Sequence, residues 1–198
     1  MPIRRSEMQD EKYLAKLRTH WKRNAVFPPM AKLCEVVGLS STSSVFALVG
    51  RLTDAGYLER QDGRIAPTKK FFARPILGPV RAGLAQPVSQ EEPELVTVDD
   101  YLIDEPNRTS MHRVRGDSMQ DAGIVDGDLL AVEHNTPTKP GDIVLACVDN
   151  ELTVKTLRMD AEGRWYLEPA NPAFQCIRPL TSLEVLGVVV GLVRRFRT

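Results

Sequence analysis

Apolar residues in the first third of the chain recur at helical spacing in three separate segments. In the first segment, residues 7–23, apolar residues form one stripe and the other positions are mostly charged. The next two segments have apolar residues at positions i, i+3, i+4 and i+7. The stripes are Leu14, Leu17 and Trp21, then Met30, Leu33, Cys34 and Val37, then Val45, Leu48, Val49 and Leu52. Gly38 and Gly56 follow the second and third stripes, where glycine commonly ends a helix. The pattern therefore predicts three helices separated by short turns.

Two strand-like runs follow the third predicted helix. Residues 57–60 and 64–66 flank Gln61-Asp62-Gly63, and Asp-Gly between such runs is a strong signal for a β-hairpin. Three helices and a hairpin, with a tight turn between the second and third helices, predict a winged helix-turn-helix over residues 1–70. A generic small helical domain stays open as an alternative, because the same stripes would form its core.

The hydrophobic pattern changes to short strand-like runs in the second half of the chain. These runs are separated by turn residues and cover 111–115, 128–132, 142–148, 152–157, 164–167 and 183–193. Strands at this spacing predict a compact, mostly β domain. The stretch between the two patterns contains three prolines and shows no periodicity, so we predict a linker over 71–80 that joins domains at 1–70 and 81–198. The expected fold class is α+β with two domains.

The formal net charge of zero hides a division between the two parts of the chain. Residues 1–74 carry 14 basic and 7 acidic side chains, a net of +7, whereas residues 75–198 carry 12 basic and 19 acidic side chains, a net of −7. Such asymmetry suggests two domains with different partners. The basic surplus of the first part would supply a non-specific electrostatic attraction to DNA.

Composition argues against several classes of protein. The longest apolar-rich run, 183–193, is too short to cross a membrane, and the N-terminus lacks the apolar core of a signal peptide. The three cysteines are far apart and the three histidines are isolated in the sequence, so neither a disulfide framework nor a metal site is indicated. We therefore expect a cytoplasmic protein with no membrane partner, no metal and no cofactor.

Short hydroxyl side chains crowd the start of the third predicted helix. Such groups reach phosphates and base edges when a helix enters the major groove of DNA. The residues that we predict to contact DNA are Ser40, Ser41, Thr42, Ser43, Ser44, Ala47 and Arg51. Phe46 has two interpretations at this point, contact with a thymine methyl group or packing at the edge of the core.

Two features of the β half suggest chemistry. Ser118 follows Gly116 and Asp117 at the end of a strand-like run, but it fits neither a G-x-S-x-G elbow nor a chymotrypsin-type sequence, and a lone Gly-x-Ser is commonly a turn. Lys155 lies in the middle of an apolar run, where a lysine is usually solvated on an outer face. If that face is covered, the pKa of the ammonium group falls, and the neutral amine can take a proton from a serine hydroxyl.

Three motifs, taken in order, resemble the self-cleaving LexA/UmuD family with its Ser–Lys dyad. They are Gly116-Asp117-Ser118-Met119, Asp126-Gly127-Asp128-Leu129-Leu130 and Leu152-Thr153-Val154-Lys155. The segment 80–83 resembles the scissile site of that family. The resemblance implies a LexA/signal-peptidase-like β domain with Ser118 as nucleophile and Lys155 as general base. It also implies cleavage between Ala82 and Gly83, with the backbone N–H groups of Asp117 and Ser118 as oxyanion donors.

The N-terminal half is similar to the winged helix of LexA, for instance in Phe27-Pro28-Pro29. The combination implies a repressor of the SOS response to DNA damage that binds double-stranded operator DNA and forms a homodimer through its C-terminal domain. A RecA filament on single-stranded DNA would stimulate autoproteolysis, which makes the protein a serine endopeptidase acting on itself. Two alternatives are a UmuD-like accessory protein of a translesion polymerase with an added DNA-binding domain, and a regulator of the same fold that does not cleave itself.

Overall fold

The computed structural model describes residues 5–77 and 94–196, with side chains from residue 9 onward. The chain divides into two compact units, Met1–Val98 and Asp99–Thr198. The first unit begins with three helices and a hairpin, which are α1 (Arg5–Asn24), α2 (Met30–Val37), α3 (Thr42–Asp54), β1 (Leu58–Gln61) and β2 (Arg64–Pro67). The three predicted helices and the predicted hairpin are confirmed.

The turns of the first unit depend on residues that cap helices or accept a left-handed backbone. Gly38 ends α2 with φ +77°, and the hydroxyl of Ser41 caps α3 by accepting from the N–H of Ser44 at 3.2 Å. The hairpin turns at Asp62 and Gly63, whose φ values of +49° and +75° are the positive angles that a tight two-residue hairpin turn needs. The helices and the hairpin bury one core, formed by Leu14, Leu17, Leu33, Val37, Val45, Leu48, Val49, Leu52, Leu58 and Phe71.

The chain after the hairpin differs from the linker predicted over residues 71–80. Lys69–Phe72 form a short helix, α4, and Arg74–Ile76 form a strand, β3, that pairs antiparallel with Glu94–Val96, β4. The structured part of the first unit therefore continues past residue 70. Residues 78–93 lie outside the described residues, so the end of the linker and the start of the next domain stay predictions.

Aromatic packing explains why the first unit extends into the predicted linker. Phe71 is fully buried, with 0% of its surface exposed, and its ring meets that of Phe27 edge to face at 5.8 Å between centroids. The Nε of Arg18 on α1 donates to the carbonyl oxygen of Phe71 at 2.6 Å. A single aromatic residue outside any periodic run left no helical stripe in the sequence, which is why the pattern did not reveal α4.

The second unit is built on one six-stranded antiparallel sheet. Its strands are β5 (Thr109–Arg113), β6 (Leu129–His134), β7 (Ile143–Val148), β8 (Glu151–Met159), β9 (Trp165–Glu168) and β10 (Leu183–Val193). Their order across the sheet is β5-β6-β10-β7-β8-β9, and a short helix, α5 (Val98–Leu102), precedes them in the chain. Every predicted strand-like run overlaps one of these strands, so the mostly β character of this half is confirmed.

The last strand, β10, lies in the middle of the sheet between β6 and β7. A glycine in β10 allows its backbone to approach β6 closely. A Cβ atom at Gly187 would lie 2.7 Å from the carbonyl oxygen of Glu133 on β6, closer than any side chain can approach. The pairing of β10 shifts register against β7 between Val185 and Gly187, and against β6 between Val189 and Gly191. These irregularities bend the strand so that it fits between its two partners.

Taken together, the two units give an α+β fold with helices first and a mostly β second half, as predicted. Among the described residues, no single helix is long and apolar enough to cross a membrane. Helices α2 and α3, which are bent by 84° relative to each other, reach the length and apolar composition of a membrane span only when they are counted together. Buried core helices can have the same length and composition.

Candidate active site

Ser118 lies in the segment 114–119, which we call the nucleophile loop, directly after β5. The backbone of Gly116 is left-handed (φ +89°), and its N–H donates to Oδ1 of Asp126 at 2.8 Å. Ser118 itself is half-buried, and Met119 after it is anchored in a core cluster of the sheet. The loop thus holds the serine between a hydrogen-bonded turn and a buried methionine.

Lys155 lies on β8 and reaches Ser118 across 37 positions of sequence. Its Nζ is 2.7 Å from the Oγ of Ser118, 2.9 Å from the Oγ1 of Thr153 and 3.0 Å from the carbonyl oxygen of Val154. Only 6% of the lysine surface is exposed. The strand lysine is therefore covered and not solvated on an outer face of the sheet.

Burial affects the ionisation of Lys155. Loss of hydration lowers the pKa of its ammonium group, and no carboxylate of the described residues forms an ion pair with it. In the neutral amine, two N–H groups donate to Thr153 and Val154, and the lone pair is left to accept the hydroxyl hydrogen of Ser118. A hydroxyl and an amine at this distance have the geometry that a nucleophile and its general base require.

Asn171 holds the backbone on the N-terminal side of the serine. This residue is 6% exposed, its Nδ2 donates to the carbonyl oxygen of Asp117 at 3.0 Å, and its Oδ1 accepts from the N–H of Ala173 at 2.9 Å. In the described part of the chain, the N–H groups of Asp117 and Ser118 have no hydrogen-bond acceptor. Their role as oxyanion donors stays a prediction. No local pattern in the sequence indicates Asn171, because its partner lies 54 positions earlier.

An ion pair fixes the chain on the C-terminal side of the serine. The Nε and Nη2 of Arg194 donate to the two carboxylate oxygens of Asp128, each at 2.6 Å, and Nη2 also donates to the carbonyl oxygen of Gly123. Asp128 is 1% exposed and accepts from the N–H of Val125 at 2.9 Å. Hydrogen bonds from Arg194 lower the pKa of the Asp128 carboxyl. The turn that follows Ser118 is therefore tied to the end of β10 by a charged pair.

A cleft of about 300 Å³ opens onto the Ser118–Lys155 pair. One wall continues from β5 into the nucleophile loop and includes His112 and Arg115. Apolar side chains form much of the remainder, among them Val114, Ile124, Leu130, Leu145 and Val154. The cleft has the size and lining to accept a short stretch of polypeptide with small side chains.

The seven residues predicted to contact DNA lie at the start of α3 and along it. The Ser41 hydroxyl caps the helix and lies 3.1 and 2.8 Å from the hydroxyls of Ser43 and Ser44, and Arg51 donates to both carboxylate oxygens of Asp10 on α1 at 2.8 and 2.7 Å. Ser41 is half-buried, and the other six residues are exposed. All seven contacts stay predictions.

The predicted scissile residues, Ala82 and Gly83, lie outside the described residues. Among the residues that the structure does describe, no group of three or more His, Cys, Asp or Glu side chains could hold a metal ion.

Comparison with known proteins gives one family and a set of full-length relatives. Residues 75–190 match the Peptidase S24-like family. The chain is 35% identical to the LexA repressor of Clostridium botulinum strain Langeland over 204 residues, which cover 97% of this chain and 98% of that protein. It is 32% identical to the LexA repressor of Alcanivorax borkumensis (90% of each chain) and 31% identical to that of Carboxydothermus hydrogenoformans (95% and 96%).

Proposed function

Because the chain belongs to the family of LexA repressors with a Peptidase S24-like domain, we propose that it is a transcriptional repressor of the SOS response that inactivates itself by proteolysis. The intact protein binds operator DNA as a dimer held together by its C-terminal half. Cleavage between Ala82 and Gly83 separates residues 1–82 from residues 83–198. The observation that carries this proposal is the 2.7 Å contact between Ser118 Oγ and Lys155 Nζ beside a cleft.

In the proposed reaction, the neutral amine of Lys155 takes the hydroxyl proton of Ser118 as Oγ attacks the carbonyl carbon of Ala82. The negative charge on the carbonyl oxygen of the tetrahedral intermediate is stabilised by the N–H groups of Asp117 and Ser118. When the bond from Ala82 to the nitrogen of Gly83 breaks, the Lys155 ammonium returns the proton to that nitrogen. Water, deprotonated by the same lysine, then attacks the ester carbonyl; the bond to Ser118 Oγ breaks, the Lys155 ammonium returns the proton to Oγ, and Ala82 is left with a carboxyl group.

The rest of the site supports this assignment because it fixes the reacting groups before the substrate enters. Asn171 orients the peptide at Asp117, and the Arg194–Asp128 pair fixes the turn after the serine. Groups that are already positioned need no reorganisation when charge develops on the carbonyl oxygen. Because the segment with the scissile bond is part of the same chain, the rate depends on how often it occupies the cleft. A RecA filament on single-stranded DNA would accelerate cleavage by raising that population.

The first unit supplies the DNA-binding function in this proposal, as a winged helix-turn-helix. Its α3 follows α2 after a tight turn, and the exposed face of α3 carries small residues, Ser43, Ala47 and Gly50, which allow close approach to base edges. Phe46 is 51% exposed beside them and can reach a thymine methyl group. Cleavage would weaken operator binding because the two DNA-binding units of a dimer would lose their link.

Self-cleavage of the purified protein is expected to accelerate with rising pH. Only the neutral amine of Lys155 accepts the serine proton, and burial lowers the pKa of its ammonium group, so the rate should rise about tenfold per pH unit and level off below the ordinary pKa of lysine. The first-order rate of fragment formation, followed by gel densitometry from pH 6 to pH 11, measures this profile.

The matched control for the pH profile is Lys139→Ala, which removes an exposed lysine from the turn before β7. This variant should reproduce the wild-type profile. Lys155→Arg keeps the positive charge at all these pH values and should show no rise. A wild-type rate that does not change with pH would contradict the role of Lys155 as the base.

A negative charge on the exposed face of α3 is expected to weaken DNA binding. Ala47→Glu places a carboxylate where the proposal puts the DNA, and affinity should fall at least about tenfold for duplexes selected from a random pool by the full chain. Ala15→Glu makes the same change on an exposed position of α1 and should cost much less. Equal losses would show that α3 is not the recognition helix, and intact self-cleavage without any duplex binding would favour the UmuD-like alternative.

A further inference from the structure

Three polar side chains on β5 and β6 form a hydrogen-bonded chain beside the cleft. The Oγ of Ser110 lies 2.8 Å from Nε2 of His112 and 2.5 Å from Nε2 of His134. The Nδ1 of His134 lies 2.8 Å from the carbonyl oxygen of Leu186 on β10. The proposed cleavage chemistry uses none of these groups, and the sequence had shown the two histidines only as isolated residues.

The order of these contacts determines where the hydrogens lie when both imidazoles are neutral. A carbonyl oxygen only accepts, so the Nδ1 of His134 carries the hydrogen and its Nε2 is an acceptor. The single hydroxyl hydrogen of Ser110 then goes to His134. The Ser110 oxygen is left to accept from His112, which therefore carries its hydrogen on Nε2. The Nδ1 of His112 is an acceptor with a fixed orientation.

This acceptor is open to a ligand. Within the described residues, the only hydrogen bond of the His112 side chain is the one from Nε2 to Ser110, so its Nδ1 has no partner there. The Nδ1 atom is also accessible to solvent, because in the described part of the chain the hydroxyl of Thr53 is the only side-chain polar atom that is buried without a hydrogen-bond partner. His112 lines the cleft that contains Ser118 and Lys155. A fixed and accessible acceptor on a cleft wall suits an incoming N–H donor.

We propose that His112 is a substrate-positioning residue whose Nδ1 accepts a hydrogen bond from a backbone N–H of the peptide segment that carries the scissile bond. The inference rests on the proposed self-cleavage. An extended peptide presents backbone N–H groups at regular intervals, and β5, which bears His112, is an edge strand that leads directly into the nucleophile loop. His112 precedes Ser118 by six residues, so the contact would lie within about 20 Å of the scissile bond.

The contact at His112 would raise the fraction of time for which the segment occupies the cleft, without taking part in proton transfer. Loss of one such hydrogen bond is expected to slow self-cleavage about 3- to 10-fold. The shape of the pH profile above neutral pH should stay that of the wild type, because Lys155 is still the base.

Three variants of His112 separate this role from a structural one. In His112→Asn the side-chain oxygen lies near the place of Nδ1, so the acceptor is kept and the rate should stay within about twofold of the wild type. In His112→Gln the amide lies near the place of Nε2, which keeps the contact with Ser110 but not the acceptor. His112→Leu removes both. The glutamine and leucine variants should each cleave about 3- to 10-fold more slowly at pH 9.

The matched control is Met111→Asn, which puts asparagine on the neighbouring, exposed position of β5 and should cleave at the wild-type rate. Melting temperatures of all four variants identify any that fail to fold. Equal rates for all His112 variants would overturn the inference, and so would an asparagine variant as slow as the leucine variant or a glutamine variant as fast as the wild type. If the wild type itself does not cleave, the proposed function fails instead.

Discussion

Self-cleavage is expected to stop when Ser118 is replaced by alanine. The fall in rate should be at least about 1,000-fold, because the attacking oxygen is lost and the N–H groups near it can stabilise only an attack by water. The change removes one oxygen atom, and the neighbouring Met119 keeps its place in the core. The rate is measured as fragment formation at pH 9, and separately at neutral pH with RecA, a nucleotide and single-stranded DNA.

Lys155→Ala should lower the rate to the same extent, because the serine hydroxyl then has no base within hydrogen-bond distance. Since the two residues act as a unit, the double variant should be no slower than either single variant. The variant Lys139→Ala, which removes an exposed lysine, again provides the control and should cleave at an unchanged rate. A Ser118→Ala protein that still produces both fragments would show that another nucleophile, or a contaminating protease, makes the cut.

The second large effect concerns the stability of the first unit. Phe71→Ala is expected to lower the free energy of unfolding of this unit by about 3–5 kcal/mol, because it removes a fully buried aromatic ring and leaves a cavity. Such a loss is comparable to much of the stability of a small domain. The matched control is Phe72→Ala, whose ring is 44% exposed and which should therefore cost much less.

The two tryptophans allow each unit to be followed separately. Trp21 packs against Phe27 at 4.9 Å between ring centroids in the first unit, and Trp165 lies on β9 in the second. In a Trp165→Phe background, urea unfolding followed by tryptophan fluorescence reports the first unit alone. If Phe71→Ala and Phe72→Ala unfold at similar urea concentrations, then α4 does not belong to the core of this unit.

The sequence predicted the parts of the fold that repeat a local pattern. Helical stripes and the Asp62-Gly63 turn each involve residues close in the chain, so spacing alone revealed α1, α2, α3 and the hairpin. Phe71 belongs to no such repeat, and its ring packs against Phe27, which is distant in sequence, so spacing alone does not reveal α4. The central position of β10 was equally hidden, because it depends on the close approach of Gly187 to Glu133.

The same distinction applies to the candidate site. Ser118 and Lys155 could be proposed from two unusual local features and from the resemblance to a family, and the structure brings their side chains together. Asn171, Arg194 and the histidine pair could not be proposed in that way, since Asn171 and Arg194 act through partners distant in sequence and the two histidines meet through Ser110 only when β5 and β6 pair. Their polar atoms have identifiable roles only once the sheet has placed them beside the nucleophile loop.

The most direct test of the central claim is the mass of the fragments formed when the purified chain is incubated at alkaline pH without any other protein. Cleavage by the Ser118–Lys155 pair predicts two fragments, residues 1–82 and 83–198, in equal amounts, and no fragments from Ser118→Ala treated in the same way. A chain that stays intact at every pH and also with a RecA filament, or fragments whose masses place the cut at another bond, would contradict it.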